Sequence, residues 1–394
     1  VKDCEMIKFM DIRYFDNAAT TKIKEEVLKE MLPYLKEEYG NASSLYTIGR
    51  SVKRAIEKAR KQVSELINAN PEEIYFTSCG SESDNTIIKG IAKAYSKKGK
   101  HIITSKIEHP AVLHTCQVLE KQGFRVTYLN VTKDGVIDLE QLRRTISMDT
   151  ILITIMTANN EIGTIQPIEE ISRIAKMYNI IFHTDAVQAC GNMEIDVKKM
   201  GIDSLSLSGH KINAPKGIGA LYVKKGIEFE RLIDGGHQEN NKRGGTENVA
   251  EIVGLGKACE IAKNNLEEHI KYLKEIRDYY ISQITEKIQN TKLNGTIKNR
   301  LPGNANICFE GVVGETMLLK LDEQGICVST GSACSSGSTQ ASHVLTAIGL
   351  NEKEANSSIR TTFGEENTKE DIDFLIENLI RIVNEIRANS NKNE

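Results

Sequence analysis

The chain has 394 residues, 40% hydrophobic and 27% charged, which is the balance of a soluble globular protein long enough for two domains. It contains 51 Lys and Arg against 54 Asp and Glu, and this net charge of −3 argues against nucleic acid or an anionic membrane as partner. No apolar run reaches the ~20 residues that cross a bilayer, and the first residues carry no apolar signal core, so we expect a cytoplasmic location. The scattered cysteines form no C-x-x-C pair and are expected to be free thiols; no metal site is predicted.

Apolar, strand-like runs alternate with amphipathic helical stretches as far as Thr246. The predicted strands are Ile74–Ser78, His101–Ser105, Val126–Val131, Ile151–Thr157, Ile180–Thr184, Ser204–Leu207 and Ala220–Val223. This alternation predicts an α/β fold whose seven-stranded, mostly parallel sheet is covered by helices on both faces. Ligand-binding residues are then expected at the carboxyl ends of the strands.

Beyond Thr246 the pattern changes to a long helical stretch, predicted over Asn248–Gln289. We expect this stretch to bridge to a second, smaller α+β domain. The predicted division gives a large domain over 15–262 and a small domain over 1–14 and 263–394.

Gly80 and Ser81 join the first predicted strand to its helix. Free backbone N–H groups at such a helix N-terminus, together with the helix dipole, favour an anion and above all a phosphate. Ser81 is equally suited to be an N-cap that serves only the helix.

His109 and Asn159 each follow the end of a predicted strand. His109 can stack on a planar ligand or move protons there, or it can simply hydrogen-bond within its loop. The amide of Asn159 can donate to a ligand oxygen or only hold its turn.

Asp185 ends a predicted buried strand, where an unpaired carboxylate is costly. It therefore needs a cationic or donating partner, such as the protonated nitrogen of a pyridine cofactor, unless it only caps the next helix. Gln188 lies one helical turn further on and can face the same ligand.

Lys211 follows Ser208-Gly-His210 between two predicted strands, at the mouth of the sheet. A partly desolvated amine can form an imine with a carbonyl compound; the alternative is a surface lysine in a turn. An anion site, a stacking histidine, a buried aspartate and this lysine together fit pyridoxal 5′-phosphate (PLP). No G-x-G-x-x-G follows a strand, which argues against a nicotinamide enzyme, and a P-loop is missing too.

Cys334 lies in a run of Gly, Ser, Thr and Ala without apolar anchors, predicted as a mobile loop over about 328–340. Cysteines are usually buried, so we interpret Cys334 as a reactive thiol rather than a free cysteine in a linker. Arg360, in a strand-like run, is a candidate clamp for a substrate carboxylate or else half of a surface salt bridge.

These residues together resemble the NifS/IscS-type cysteine desulfurases, PLP enzymes of fold-type I in the aminotransferase class V family. The resemblance runs from Tyr14-Phe-Asp-Asn-Ala-Ala-Thr-Thr21 to Ser358-Ile-Arg360. Its most specific pieces are His183-Thr-Asp-Ala-Val-Gln188, Ser208-Gly-His-Lys211, Arg243-Gly-Gly-Thr-Glu-Asn248 and Gly331-Ser-Ala-Cys334.

For the cofactor ring, the resemblance implies that Lys211 binds the aldehyde covalently and that His109 stacks on the ring. It further implies that Asp185 pairs with the ring nitrogen and that Gln188 hydrogen-bonds the ring hydroxyl.

For the phosphate, the resemblance implies that Ser81, beside Gly80, binds it together with Ser208 and His210. Thr246 would reach across a homodimer interface to the phosphate that the other subunit binds.

For the substrate, the resemblance implies Asn159 and Arg360 on the carboxylate of L-cysteine. Lys211 would remove the Cα proton, with His109 assisting. Cys334 would take the sulfur as a persulfide, leaving L-alanine. A sulfur-acceptor or iron–sulfur scaffold protein would then receive it, for iron–sulfur cluster assembly or thiolation. The alternatives are another class V enzyme (a selenocysteine lyase or aminotransferase) and a non-catalytic sulfur-carrying interaction protein.

Several positions depart from the family pattern without touching Lys211, Asp185 or Cys334. Cys79-Gly-Ser81 replaces the commoner Gly-Ala-Thr and keeps a hydroxyl. Ala42 and Tyr46 stand where the family usually has Pro and His. His237 takes a glycine position, Asn240 and Asn241 replace the usual Arg-Gly, and Thr346 stands where an arginine is common.

Overall fold

The structure is a computed structural model that describes residues 11–331 and 341–390. Its strands are β1 Arg13–Tyr14, β2 Ile74–Thr77, β3 His101–Ser105, β4 Arg125–Leu129, β5 Thr150–Thr154, β6 Ile181–Asp185, β7 Ser204–Ser208, β8 Gly219–Val223, β9 Thr291–Leu293, β10 Asn304–Phe309, β11 Ile326–Cys327 and β12 Ser358–Thr362. Its helices are α1 Glu25–Lys36, α2 Thr47–Leu66, α3 Gly80–Ala94, α4 Pro110–Lys121, α5 Leu139–Thr145, α6 Ile168–Met177, α7 Gln238–Asn241, α8 Val249–Asn264, α9 Leu266–Lys287, α10 Gly314–Asp322, α11 His343–Ala347, α12 Glu352–Asn356 and α13 Lys369–Ser390.

The main sheet has seven strands in the order β2-β8-β7-β6-β5-β3-β4. β8 pairs antiparallel with β2 and β7, and the other neighbours are parallel. These are the seven strands that the sequence predicts, with ends shifted by a few residues, and the α/β class is confirmed. Every residue of β3, β5, β6 and β7 is buried, as expected for parallel strands covered on both faces.

α3 supplies part of that cover through Ile87, Ile88 and Ile91, all fully buried at helical spacing. The helix begins at Gly80, so its first turn directly follows the end of β2. The residues that join strand and helix therefore lie at one edge of the sheet.

The chain divides into two compact units. The larger contains Thr20–Asn159 and Thr164–Glu267, and the smaller contains Val1–Ala19, Asn160–Gly163 and Glu268–Glu394, taken over their described residues. The helical stretch predicted over Asn248–Gln289 is two helices, α8 and α9, because Asn265 leaves the helical conformation at φ −107° and ψ 6°.

The smaller unit has an α+β composition. β12, β10 and β9 form an antiparallel sheet, and β1 pairs parallel with β11. Its core is built from Phe15, β10, α9 and α13, with Tyr280 and Phe363 in edge-to-face contact. No helix within 11–331 or 341–390 has the length and apolar character needed to cross a membrane.

Candidate active site

Two neighbouring parallel strands bring Asp185 and Lys211 to the same edge of the sheet. β6 ends at Asp185, which is in register with Ser206 of β7. Lys211 closes a short 3-10 helix, Gly209–Lys211, directly after β7. Gly209 permits this tight exit, because a Cβ there would lie 2.8 Å from Cγ2 of Ile218. The two residues that sequence reasoning assigned to one ligand thus lie in the same region.

Asp185 is buried, with 5% of its surface exposed, and that burial raises the pKa of its carboxyl. The charges of His109 and Lys211 and a hydrogen bond from the N–H of Val187 act in the opposite direction. The Val187 N–H lies 2.9 Å from Oδ1, so Asp185 does cap the following turn. A protonated ring nitrogen beside Asp185 would add the positive charge that favours its ionised form.

The N-terminus of α3 lies against this turn and the end of β7. A Cβ on Gly80 would lie 2.6 Å from Cγ2 of Val187 and 3.4 Å from Cβ of Ser208, so only glycine fits without displacement. The N-cap of α3 is Cys79, without a side-chain capping bond; the alternative interpretation of Ser81 as N-cap is therefore wrong.

Ser208 has a buried hydroxyl without a hydrogen-bond partner, beside the start of α3. Buried hydroxyls normally have hydrogen-bond partners, so an unpartnered hydroxyl at a helix N-terminus indicates a position where a ligand binds. An anion there would accept from this hydroxyl and from free N–H groups of the first turn. The residues present fit a phosphate.

His109 and Asn159 are linked through the loop after β3. His109 is the N-cap of α4, and its Nδ1 accepts from the N–H of Ala111 at 3.1 Å. Asn159 is fully buried; its Nδ2 donates to the carbonyl of Ile107 at 2.9 Å, and its N–H donates to Thr164. Asn159 thus holds its turn and also fixes the loop that carries His109.

The remaining predicted residues of the larger unit differ in exposure. Burial lowers the pKa of His210 to about 4, and its Nδ1 lies 3.2 Å from Oγ1 of Thr20. Gln188 is half-buried, and its carbonyl accepts from Asn192. Thr246 is exposed and lines a cavity of about 190 Å³ that Arg243 also lines.

Sequence reasoning missed a buried polar network that involves α3 and β6. Asp84 has an unpartnered Oδ1 at 3.7 Å from Nε2 of His183. Burial and the neighbouring Asp185 raise the pKa of Asp84 well above its usual range, whereas burial lowers that of His183 to about 3. Both shifts favour the neutral forms of the two side chains. The spacing of Asp84 with Ile87, Ile88 and Ile91 on one face of α3 was the available signal.

Glu108 was also missed, although it precedes His109. It is fully buried, accepting from Oγ of Ser105 at 2.6 Å and from the N–H of Met156 at 2.9 Å. Burial raises the pKa of Glu108 to about 8. This carboxyl is therefore mostly protonated at neutral pH and adds little negative charge beside Asp185.

Two ion pairs connect the stretch 238–246 with α2 and α3. Arg243 donates to both carboxylate oxygens of Glu82, at 3.0 and 3.4 Å. Arg60 donates to both oxygens of Glu239, at 2.7 and 3.0 Å. These contacts fix the segment that carries Thr246.

Arg360 belongs to the smaller unit and is only 1% exposed, so the interpretation of a surface salt bridge is wrong. Its Nη2 donates to Oδ1 of Asp16 at 2.6 Å, and its Nη1 donates to the carbonyl of Asn160 at 3.4 Å. Its Nε is buried without a partner, which leaves an N–H for a further acceptor. Cys334, the predicted nucleophile, lies outside the described residues.

Comparison with known proteins decides the family. Residues 13–375 match the Aminotransferase class-V family. A protein of Dictyoglomus turgidum named "Cysteine desulfurase IscS" is 52% identical over 375 residues, covering 95% of both chains. The chain is a member of the cysteine desulfurases of the class V aminotransferase family.

Two solved structures agree with this membership. One, named "NIFS-LIKE PROTEIN", superposes with a TM-score of 0.90 at 38% identity, covering 95% of this chain and 99% of that one. Another, "SspA in complex with cysteine", has a TM-score of 0.80 at 40% identity over 90% and 100% of the two chains. The family is PLP-dependent, and Ser208 and Asp185 fit the two ends of that cofactor.

Proposed function

We propose that this desulfurase converts L-cysteine to L-alanine with PLP held in its larger unit, and that Cys334 takes the sulfur as a persulfide. One observation carries the proposal: Lys211, buried Asp185 and the unpartnered Ser208 hydroxyl at the start of α3 share one edge of the sheet. The sequence Gly331-Ser-Ala-Cys334 supplies the thiol that a plain aminotransferase does not need.

The residues of the larger unit would bind the two ends of PLP. Ser208 and the first turn of α3, with Ser81 and His210, would hold its phosphate, and Asp185 would hold a proton on its ring nitrogen. His109 would stack on its ring, and Gln188 would donate to its hydroxyl. When bound, PLP supplies an electron sink for the electron pair of the substrate Cα–H bond.

Two side chains would do the acid–base and binding work. The Nζ of Lys211 would accept the Cα proton of the substrate. Arg360, with a buried Nε that still has an N–H to donate, would bind the substrate carboxylate together with Asn159. The similarity to SspA, whose solved structure is a complex with cysteine, supports cysteine as the substrate class.

The sulfur step balances without another reactant. The Cys334 thiolate would attack the substrate sulfur, forming an S–S bond while the Cβ–S bond breaks. The electron pair of that bond would remain with the carbon skeleton, which takes up protons to become alanine. Cysteine plus an enzyme thiol gives alanine plus an enzyme persulfide. A sulfur-acceptor or iron–sulfur scaffold protein would then remove the outer sulfur.

The exposed side chain of Thr246, on a segment fixed by the Arg243–Glu82 pair, supports a homodimer in which Thr246 serves the other subunit. A cytoplasmic location is proposed from the sequence composition.

The deciding experiment compares alanine formation from L-cysteine by wild type and by Cys334→Ala, with a reductant present. Cys327→Ala is the matched control, since it removes a half-buried thiol from the same region of the sequence. Activity in wild type and control, with none in Cys334→Ala, supports the proposal. Equal activity in all three would reject Cys334 as nucleophile and favour a lyase. Amino transfer to a 2-oxo acid without alanine would favour an aminotransferase.

A further inference from the structure

Glu161 lies in the smaller unit, on the stretch Asn160–Gly163, and is 2% exposed. Its Oε2 accepts from Oγ of Ser342 at 2.5 Å. The same Ser342 oxygen accepts from the N–H groups of Val344 and Leu345, so it is also the N-cap of α11. The carboxylate of Glu161 therefore bonds the N-cap residue of α11.

Gly331 approaches the same carboxylate oxygen. A Cβ placed on Gly331 would lie 3.5 Å from Oε2 of Glu161 and 3.9 Å from Cβ of Ser342. Ser329 fixes Gly331 locally: its Oγ lies 2.9 Å from the Gly331 carbonyl and 3.3 Å from the Gly331 nitrogen. The buried carboxylate of Glu161 thus bonds Ser342 and lies close to Gly331, the two described residues that flank the segment 332–341 containing Cys334.

Glu161 is itself fixed relative to Arg360. The carbonyl of Glu161 accepts from the side-chain amide of Asn306 at 3.1 Å, and the preceding carbonyl, of Asn160, accepts from Arg360. Ser329 and Arg360 also exchange two backbone hydrogen bonds, at 3.1 and 2.7 Å. Arg360, Glu161 and Gly331 therefore belong to one hydrogen-bonded unit.

We propose that Glu161 is a positioning residue that fixes the chain leading to Cys334 relative to the carboxylate clamp Arg360. Cys334 is three residues beyond Gly331, and three residues of chain span at most about 11 Å. Gly331 is therefore the last described residue before Cys334, and its position is fixed beside the segment that carries Arg360. The inference rests on the proposed function, because it takes Cys334 as the nucleophile and Arg360 as the substrate clamp.

A negative charge introduced at Ser342 separates this positioning role from a role in stability alone. Aspartate is as good an N-cap as serine, so Ser342→Asp keeps the capping bonds of α11 but places a carboxylate against that of Glu161. Adding Glu161→Gln removes the repulsion and restores a donor–acceptor pair. Asn351→Asp, at the N-cap of neighbouring α12, adds the same charge away from Glu161 and is the control.

We expect Ser342→Asp and Glu161→Ala each to lower kcat for alanine formation about tenfold, with KM for L-cysteine changed less than about twofold. Iodoacetamide should alkylate the Cys334 peptide at least threefold faster, measured by mass spectrometry. The double variant Ser342→Asp/Glu161→Gln should return both rates to within about threefold of wild type, and Asn351→Asp should leave them unchanged.

Wild-type rates in Ser342→Asp, an effect on KM alone, or no rescue by Glu161→Gln would overturn the role of Glu161. If wild type forms no alanine, the proposed function fails instead. The alkylation comparison does not depend on turnover, so it still decides whether Glu161 restrains the chain that carries Cys334. Should Glu161→Ala not fold, the Ser342 variants give the same decision.

Discussion

Replacing Glu239 by alanine should strongly destabilise the larger unit. Arg60 is 6% exposed and donates two hydrogen bonds to Glu239, whose Oε2 also accepts from the N–H of Phe76 at 2.9 Å. Glu239→Ala removes the buried partner of this guanidinium and leaves it only the exposed Glu57 carboxylate, 3.3 Å from its Nε, which costs about 3 kcal/mol in the free energy of unfolding. The left-handed backbone at Glu239, φ 46°, stays strained in the variant, so no relief offsets this loss.

The double variant Arg60→Met/Glu239→Met should lose less than Glu239→Ala, although it changes more atoms. No charge is left buried, and the main residual cost is the stranded N–H of Phe76, about 1–3 kcal/mol. Because Phe76 lies in β2, just before the start of α3, the single variant should also retain PLP less well.

Equilibrium urea unfolding of the cofactor-free protein, followed by circular dichroism, measures these differences. Lys61→Ala/Glu65→Ala is the matched control on α2, since that exposed pair at 3.7 Å contributes at most about 1 kcal/mol. The reasoning is refuted if Glu239→Ala is no less stable than this control, or if the double variant is less stable than Glu239→Ala.

Three further predictions concern the cofactor region. Ser208→Ala should weaken PLP binding about 10- to 150-fold, since a hydrogen bond to a charged group contributes about 1.5–3 kcal/mol. The cofactor-free variant should be as stable as wild type or more so; equilibrium dialysis measures the affinity and urea unfolding the stability. Gly80→Ala should reduce PLP affinity, because the new Cβ would lie 2.6 Å from Cγ2 of Val187 and push that side chain away. Gly80→Ala/Val187→Ala should recover the affinity. A double variant that binds PLP no better than Gly80→Ala would contradict this close approach. The pKa of Glu108 is raised to about 8, so its protonated form contributes stability that is fully present below pH 4.5 and is lost as pH rises through 8. Glutamine does not titrate, so Glu108→Gln does not suffer this loss. Its urea midpoint should therefore rise relative to that of wild type between pH 5 and pH 9.

The strands of the large unit were predictable because their signal is local. β5 is buried at every residue, so its sequence is continuously apolar or small, and periodicity finds such a run without knowledge of its neighbours. The residues at strand ends were found by the same route, since Asp185 is the last residue of β6 and Lys211 closes the short 3-10 helix after β7. The break between α8 and α9 was not found, since Asn265 interrupts the helix without a glycine or proline to mark it.

Pairs that depend on distant chain segments could not be predicted. Arg243 and Glu82 are 161 residues apart, and Glu239 lies 179 residues from Arg60. Charged side chains are usually solvated, so the sequence gives no reason to expect these pairs to be buried or half-buried. Glu161 shows the same limit, because its contact with Ser342 becomes visible only when the strands of the smaller unit are assembled.

The departures from the family pattern near residue 240 are understandable once their conformation is known. Glu239, Asn240 and Asn241 have φ values of 46°, 54° and 64°, a left-handed run that disfavours most side chains. Asparagine tolerates this region better than other non-glycine residues, so Asn241 can replace a glycine and Asn240 an arginine with the backbone unchanged. His237, a third departure, has its Nδ1 2.5 Å from Oδ1 of Asn241. Three unusual residues therefore form one local adaptation that preserves the turn, and with it the Glu239 carboxylate that holds Arg60.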